Sequence, residues 1–227
     1  MTQNLIILSK FPSVSQLELV GWGRVEYESR EEAFVYASDV LPLLREYHGT
    51  CTPLGIFLSK PTLTRLFIHH SDPRALTVHL HKEYRHITLL LVMLTSLDQE
   101  TLSTICTRLP SLIDLGIHTS QHFEEVHCED GINTQATDLF STLTDTPLPR
   151  TLERLVILWQ FDFEFEHDEE EGVPVASPEN IPDFVAMRDK LRERCPALRT
   201  LWLDGQDFMF KWRQLLDREE MEQENTI

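Results

Sequence analysis

The sequence predicts an α/β solenoid, with parallel β-strands on a concave face and helices on a convex face. Three observations predict it. A motif of the form apolar-x-x-Leu-x-apolar returns six times along the 227 residues. Segments with apolar residues on one helical face lie between the copies. Several copies also carry polar residues between their leucines, Gln16, Glu18, Arg65 and Asp114 among them. One strand face is therefore wet, whereas the central strands of a doubly wound domain are buried on both faces and read as continuous Val/Ile runs.

The copies run in order. Val14-Ser-Gln-Leu17-Glu-Leu19 is the first, and Leu63-Thr-Arg-Leu66-Phe-Ile68 and Ile87-Thr-Leu-Leu90-Leu-Val92 follow. Leu112-Ile-Asp-Leu115-Gly-Ile117, Leu152-Glu-Arg-Leu155-Val-Ile157 and Leu198-Arg-Thr-Leu201-Trp-Leu203 complete the set. Their first positions are 49, 24, 25, 40 and 46 residues apart. Steps of 24 and 25 fit a leucine-rich repeat, and the longer ones call for insertions or a degenerate copy. The last two apolar positions are two apart and point to one side of a short strand. The first lies where the chain turns into that strand, so all three enter one core, and a loop and a returning helix should follow.

The helices have their own signals. Asp98 caps a segment running to Leu109, with Leu102, Ile105, Cys106 and Leu109 on one face and Pro110 as the stop. Pro182 to Arg194 repeats the design, with Phe184, Met187, Leu191 and Cys195 on the face and Pro196 beyond it. Thr134 to Leu143 is a third helix, and Glu31 to Tyr47, interrupted by Pro42, a fourth. Asp207 to Asn225 reads as an amphipathic helix with Phe208, Lys211, Trp212, Leu215 and Leu216, and a solenoid needs such a cap over its last repeat. Residues 1–206 are thus the irregular repeat domain, with an acidic insertion over 162–180, and residues 207–227 a capping helix and tail.

Cys195-Pro-Ala-Leu198-Arg-Thr-Leu201-Trp-Leu203 resembles the cysteine-containing type of leucine-rich repeat. Arg108-Leu-Pro-Ser-Leu112-Ile-Asp-Leu115-Gly-Ile117 and Phe11-Pro-Ser-Val14-Ser-Gln-Leu17-Glu-Leu19 resemble the same turn-and-strand unit. Irregular repeats with acidic insertions are similar to the C-terminal repeat regions of fungal F-box proteins. The resemblance implies a substrate-recognition module of a ubiquitin ligase. In those relatives an N-terminal F-box docks on a Skp-type adaptor of a cullin ligase, and nothing in this chain matches that element. The expectation is a truncated relative or one that never served a ligase, with a cullin adaptor as partner only if a docking element is supplied elsewhere.

Residues alternating with the buried leucines point into the concave face. They are Gln16, Glu18 and Val20; Arg65, Phe67 and His69; Leu89, Leu91 and Met93; Asp114, Gly116 and His118; Arg154, Val156 and Leu158; and Thr200, Trp202 and Asp204. Arg65, Phe67, His69, Asp114, His118, Arg154, Trp202 and Asp204 are the candidate partner-binding residues. Phe67, Arg154 and Trp202 lead, because aromatics and Arg are enriched at interface hot spots. The run Asp162 to Glu171 reads either as a solvated insertion or as an electrostatic lure for a basic partner.

A formal net charge of −17 argues against binding nucleic acid or an anionic membrane and favours a partner with a basic patch. The longest apolar run, Leu89 to Leu94, is far short of the roughly 20 residues that span a bilayer. No signal peptide is evident, so the expected place is the cytoplasm or nucleus. Cys51, Cys106, Cys128 and Cys195 form no CxxC pair and read as reduced, mostly buried thiols rather than a zinc site. No G-x-S-x-G elbow or phosphate-binding glycine loop is present, and the reading is a binding protein without cofactor or metal, not an enzyme. The alternatives are a metal-dependent or small-molecule enzyme built on His69, His79 and His81, or a non-functional fragment.

Overall fold

The computed structural model describes residues 8, 10–19, 40–120, 141–160, 183–205, 208–215 and 219–225. It is an α/β protein with one open sheet of nine strands in sequence order. The strands are β1 (Gln16–Glu18), β2 (Glu46–Gly49), β3 (Arg65–Ser71), β4 (Leu89–Leu94), β5 (Asp114–Ser120), β6 (Arg154–Gln160), β7 (Thr200–Asp204), β8 (Phe208–Gln214) and β9 (Glu219–Asn225). The first seven run parallel, and β8 and β9 are antiparallel additions. The helices are α1 (Leu54–Phe57), α2 (Pro73–His79), α3 (Gln99–Arg108) and α4 (Phe184–Arg194), and residues 141–145 are also helical.

Every predicted motif is a strand of the parallel set, and the motifs lie side by side in register. Leu17, Tyr47, Leu66, Leu90, Leu115, Leu155 and Leu201 are successive Cα partners. A second row runs Gly49, Ile68, Val92, Ile117, Ile157 and Leu203. Apart from Gly49, both rows belong to one core cluster, which also takes Leu102, Ile105, Phe184, Met187 and Leu191 from the helices. An unpaired sheet face of this kind would leave apolar area in water at about 25 cal/mol per Å².

The backbone repeats more faithfully than the side chains. At the first apolar position of each unit the N–H donates three residues back: Val14 to Phe11, Leu44 to Leu41, Leu63 to Lys60, Ile87 to Tyr84, Leu112 to Leu109, Leu152 to Pro149, and Leu198 to Cys195. The chain then enters the strand under a shared carbonyl. Thr88 O accepts from both Ile113 and Asp114 N–H, Ile113 O from Glu153 and Arg154, and Glu153 O from Arg199 and Thr200. The turn satisfies a buried N–H and aims three apolar side chains inward, which is why the sequence keeps that spacing.

The helix starts follow from capping. Asp98 Oδ1 accepts from Thr101 N–H at 2.7 Å, as expected. Asp183 caps α4, accepting from Ala186 N–H at 2.9 Å. Asp72 caps α2, with Pro73 next to it.

Two sequence expectations are overturned. The helix expected to run to Tyr47 does not: Glu46–Gly49 is strand β2, after a turn at residues 40–45, and residues 31–39 lie outside the described set. This is the degenerate copy in the 49-residue step. Tyr47 stands where other units have Leu, and its hydroxyl lies 2.6 Å from where a Cβ on Gly49 would be. One large ring thus takes the space of the next inward side chain, and its hydroxyl donates to Thr50 O at 2.8 Å.

The expected C-terminal helix is instead the β8–β9 hairpin. Phe208, Phe210 and Trp212 alternate, a strand period, and Phe210 and Trp212 continue the two core rows as partners of Leu203 and Leu201. Phe210 stacks on Phe184 at 5.1 Å between ring centroids. Leu216, the acidic insertion 162–180 and residues 134–140 of the third expected helix lie outside the described residues. Among the described residues no helix is long and apolar enough to cross a membrane.

Candidate functional site

With one sheet face committed to the core, the alternate positions form an open face. Register sorts them into rows. The first row is Gln16, Glu46, Arg65, Leu89, Asp114, Arg154, Thr200 and Arg213. The second is Glu18, His48, Phe67, Leu91, Gly116, Val156, Trp202 and Lys211. A third holds Met93, His118, Leu158, Asp204 and Met209.

The second row is an apolar stripe. Phe67, Leu91 and Trp202 are half-buried, and His48 extends the stripe by stacking on Phe67, with centroids 4.1 Å apart and planes within 7°. Leu91 leans over Gly116 at the centre of the stripe: a Cβ there would lie 2.3 Å from Leu91 Cδ2, so a larger residue would make Leu91 turn away. Val156, expected on the exposed face, is buried at 6% exposure. It sits in register between Gly116 and the broad Trp202, and a β-branched side chain there is overshadowed by its neighbours.

Charges bracket the stripe in pairs. Arg65 meets Glu46 at 2.9 Å, and its guanidinium lies 5.8 Å from the Phe67 centroid. His48 Nε2 meets Glu46 Oε1 at 2.7 Å. Arg154 meets Asp114 at 3.2 Å, while the other carboxylate oxygen of Asp114 is buried without a partner. Burial pushes the Asp114 carboxyl above its ordinary value, and Arg154 and Arg65 pull it back. At the far end Trp202 Nε1 donates to Asp204 at 3.3 Å, and Lys211 Nζ stands 4.6 Å from the Trp202 ring.

Of the eight predicted residues, Arg65, Phe67, Asp114, Arg154, Trp202 and Asp204 are brought into this array. His118 joins the third row. His69 is exposed just beyond Phe67, where the β3–β4 register shifts and His70 takes a left-handed φ of 42°. That extra residue restores Ser71 to the core side as the partner of Leu94. Val20 is outside the described residues. Glu46, His48 and Lys211 are absent from the predicted set, because Glu46 falls in the helix expected over Glu31 to Tyr47, His48 lies just past it where no strand is expected, and Lys211 falls in the expected helical cap.

The histidine alternative gains no geometry. Among the described residues no group of three His, Cys, Asp or Glu side chains is placed to hold a metal. His81 Nδ1 lies 3.1 Å from His79 O, and His86 Nε2 lies 3.0 Å from Leu58 O. Burial pushes the Cys106 thiol up to about 12 and Cys51 to about 11, so neither offers a thiolate. Cys51, Cys106 and Cys195 are free and buried, and Cys128 lies outside the described residues.

The chain matches no family model, no curated protein and no solved structure in the comparisons made.

Proposed function

We propose that the chain is a leucine-rich-repeat solenoid, strands concave and helices convex, that works as a protein-interaction scaffold in the cytoplasm or nucleus and is not an enzyme. Its partner, a protein with a basic patch, lies across the open sheet face. The stripe from Phe67 through Leu91 to Trp202, in register and bracketed by ion pairs, carries this reading. An apolar centre with a polar rim is the anatomy of a binding surface. Arg65 with Glu46 and Arg154 with Asp114 already pair, so a partner can cover the centre of the stripe without stranding those charges. The acidic balance of the whole chain would speed encounter with a basic partner. The resemblance to F-box relatives extends the proposal to substrate recognition in a ubiquitin ligase, with the docking element supplied by another chain or segment.

The test is capture of partners by three immobilised forms: wild type, Trp202→Asp, and Glu100→Lys, an exposed change on α3. Thermal unfolding confirms that all three fold. The proposal expects a defined set of proteins held by wild type and Glu100→Lys and lost by Trp202→Asp. Retention of every partner by folded Trp202→Asp would refute the open face as the binding surface.

A further inference from the structure

We propose that the outer edge of β9 accepts an extended basic segment of a partner protein as an added antiparallel strand. The edge borders the open face, whose three rows Glu220, Glu222 and Glu224 continue in register, but the proposal does not rest on the function proposed above. β9 is the last strand of the sheet, and among the described residues it pairs with β8 alone. Among the described residues about half of its backbone N–H and C=O groups therefore have no strand partner, a template for strand addition.

The paired side of β9 shows which chemistry it accepts. Arg213 is the Cα partner of Glu220 and Lys211 that of Glu222, so a basic strand already lies against an acidic one. Glu220, Glu222 and Glu224 alternate along β9, and Met221 between them is 55% exposed. A second copy of this chain is a poor occupant. Edge-to-edge pairing would set glutamates opposite glutamates, and like charges directly opposite destabilise a ladder. The complementary strand has Lys or Arg at alternate positions and an apolar residue facing Met221.

The probe is acetyl-Thr-Lys-Thr-Lys-Val-Lys-Thr-amide, equal in length to β9, added to the full chain at low ionic strength. One control carries N-methyl groups on alternate residues, which keeps the charge and removes the ladder donors. Another has Glu in place of Lys. The expected result is saturable binding that slows exchange of the outward β9 amides about tenfold or more, with neither control doing so. Glu222→Lys should weaken binding roughly fivefold or more. Glu224→Lys, whose β8 partner is Met209, repeats that test away from Lys211. Equal binding by the N-methylated peptide would mean charge attraction alone and would overturn the proposal. So would protection outside β9, no binding, or unchanged affinity in both folded variants.

Discussion

The parallel body, β3 to β7, and the terminal hairpin, β8–β9, belong to one sheet and one core but are held by different means. In the body each position of the two core rows is Leu, Ile or Val, supported by a shared carbonyl and a three-residue turn at every step. In the hairpin the same two rows end in Trp212, roofed by Arg188 and Arg192 of α4, and Phe210, stacked on Phe184 of the same helix. A repeating body hides each unit's apolar face with the next unit, and the last unit has no successor. The hairpin supplies that cover with two aromatic side chains, and the change of strand direction ends the parallel series.

If the hairpin is an integral cap, the largest effect falls at the seam. Trp212 is fully buried and is the register partner of Leu201. Trp212→Ala should cost about 3–5 kcal/mol and Leu201→Ala about 2–5 kcal/mol. Urea unfolding should stay a single transition in each, with the double variant less destabilised than the two losses added together. Trp212→Ala unfolding in two steps, with β1 to β7 surviving, would show instead that the hairpin is an appendage.

The same contrast governs what could be read from the sequence. The body was legible because Leu-x-x-Leu-x-Leu has a physical cause at each position, and period-2 alternation then placed Arg65, Phe67, Asp114, Arg154 and Trp202 on the open face. β2 was hidden because Tyr47 and Gly49 exchange the volumes of the two inward positions, and the pattern of leucines is lost while the space is still filled. The hairpin was hidden because Lys211, Trp212 and Leu215 also fit a helical stripe. Only the Phe208, Phe210 and Trp212 alternation argued for strand, and a short apolar run supports either reading. Both misses removed open-face residues, Glu46, His48 and Lys211, from the predicted site.

A second difference to break is the roof itself. Arg188, nearly buried on α4, stands 5.9 Å from the Trp212 ring, meets Asp189 at 2.7 Å, and donates to Met221 Sδ at 3.0 Å. Arg192 lies 5.2 Å from the same ring. Arg188→Ala should cost roughly 2 kcal/mol, combining lost packing of the stem with a partly desolvated cation–π contact. Arg188→Met should recover the packing share only. Thermal unfolding separates them: a cost for Met equal to that for Ala would mean that packing of the stem contributes nothing.

The smallest effect belongs to the body and concerns Asp114, which no residue of the hairpin touches among the contacts described. Burial raises its carboxyl above the ordinary 3.8, more than Arg154 and Arg65 lower it. The folded chain therefore keeps this proton at pH values where the unfolded chain has released it. More protons on the native state means that stability falls as pH rises, from near 3.8 up through the raised folded value, and is flat above it. Other carboxylates add slopes of their own, so the informative quantity is the difference between wild type and Asp114→Asn. Asparagine keeps the shape and cannot titrate, and it leaves the half-exposed Arg154 free to turn to solvent at little cost. Urea unfolding of both proteins across the carboxylate range should show wild type losing stability relative to Asp114→Asn as pH rises. A difference that runs the other way would mean that Arg154 and Arg65 outweigh burial, and that Asp114 is held on the open face as a paired charge rather than against its own desolvation.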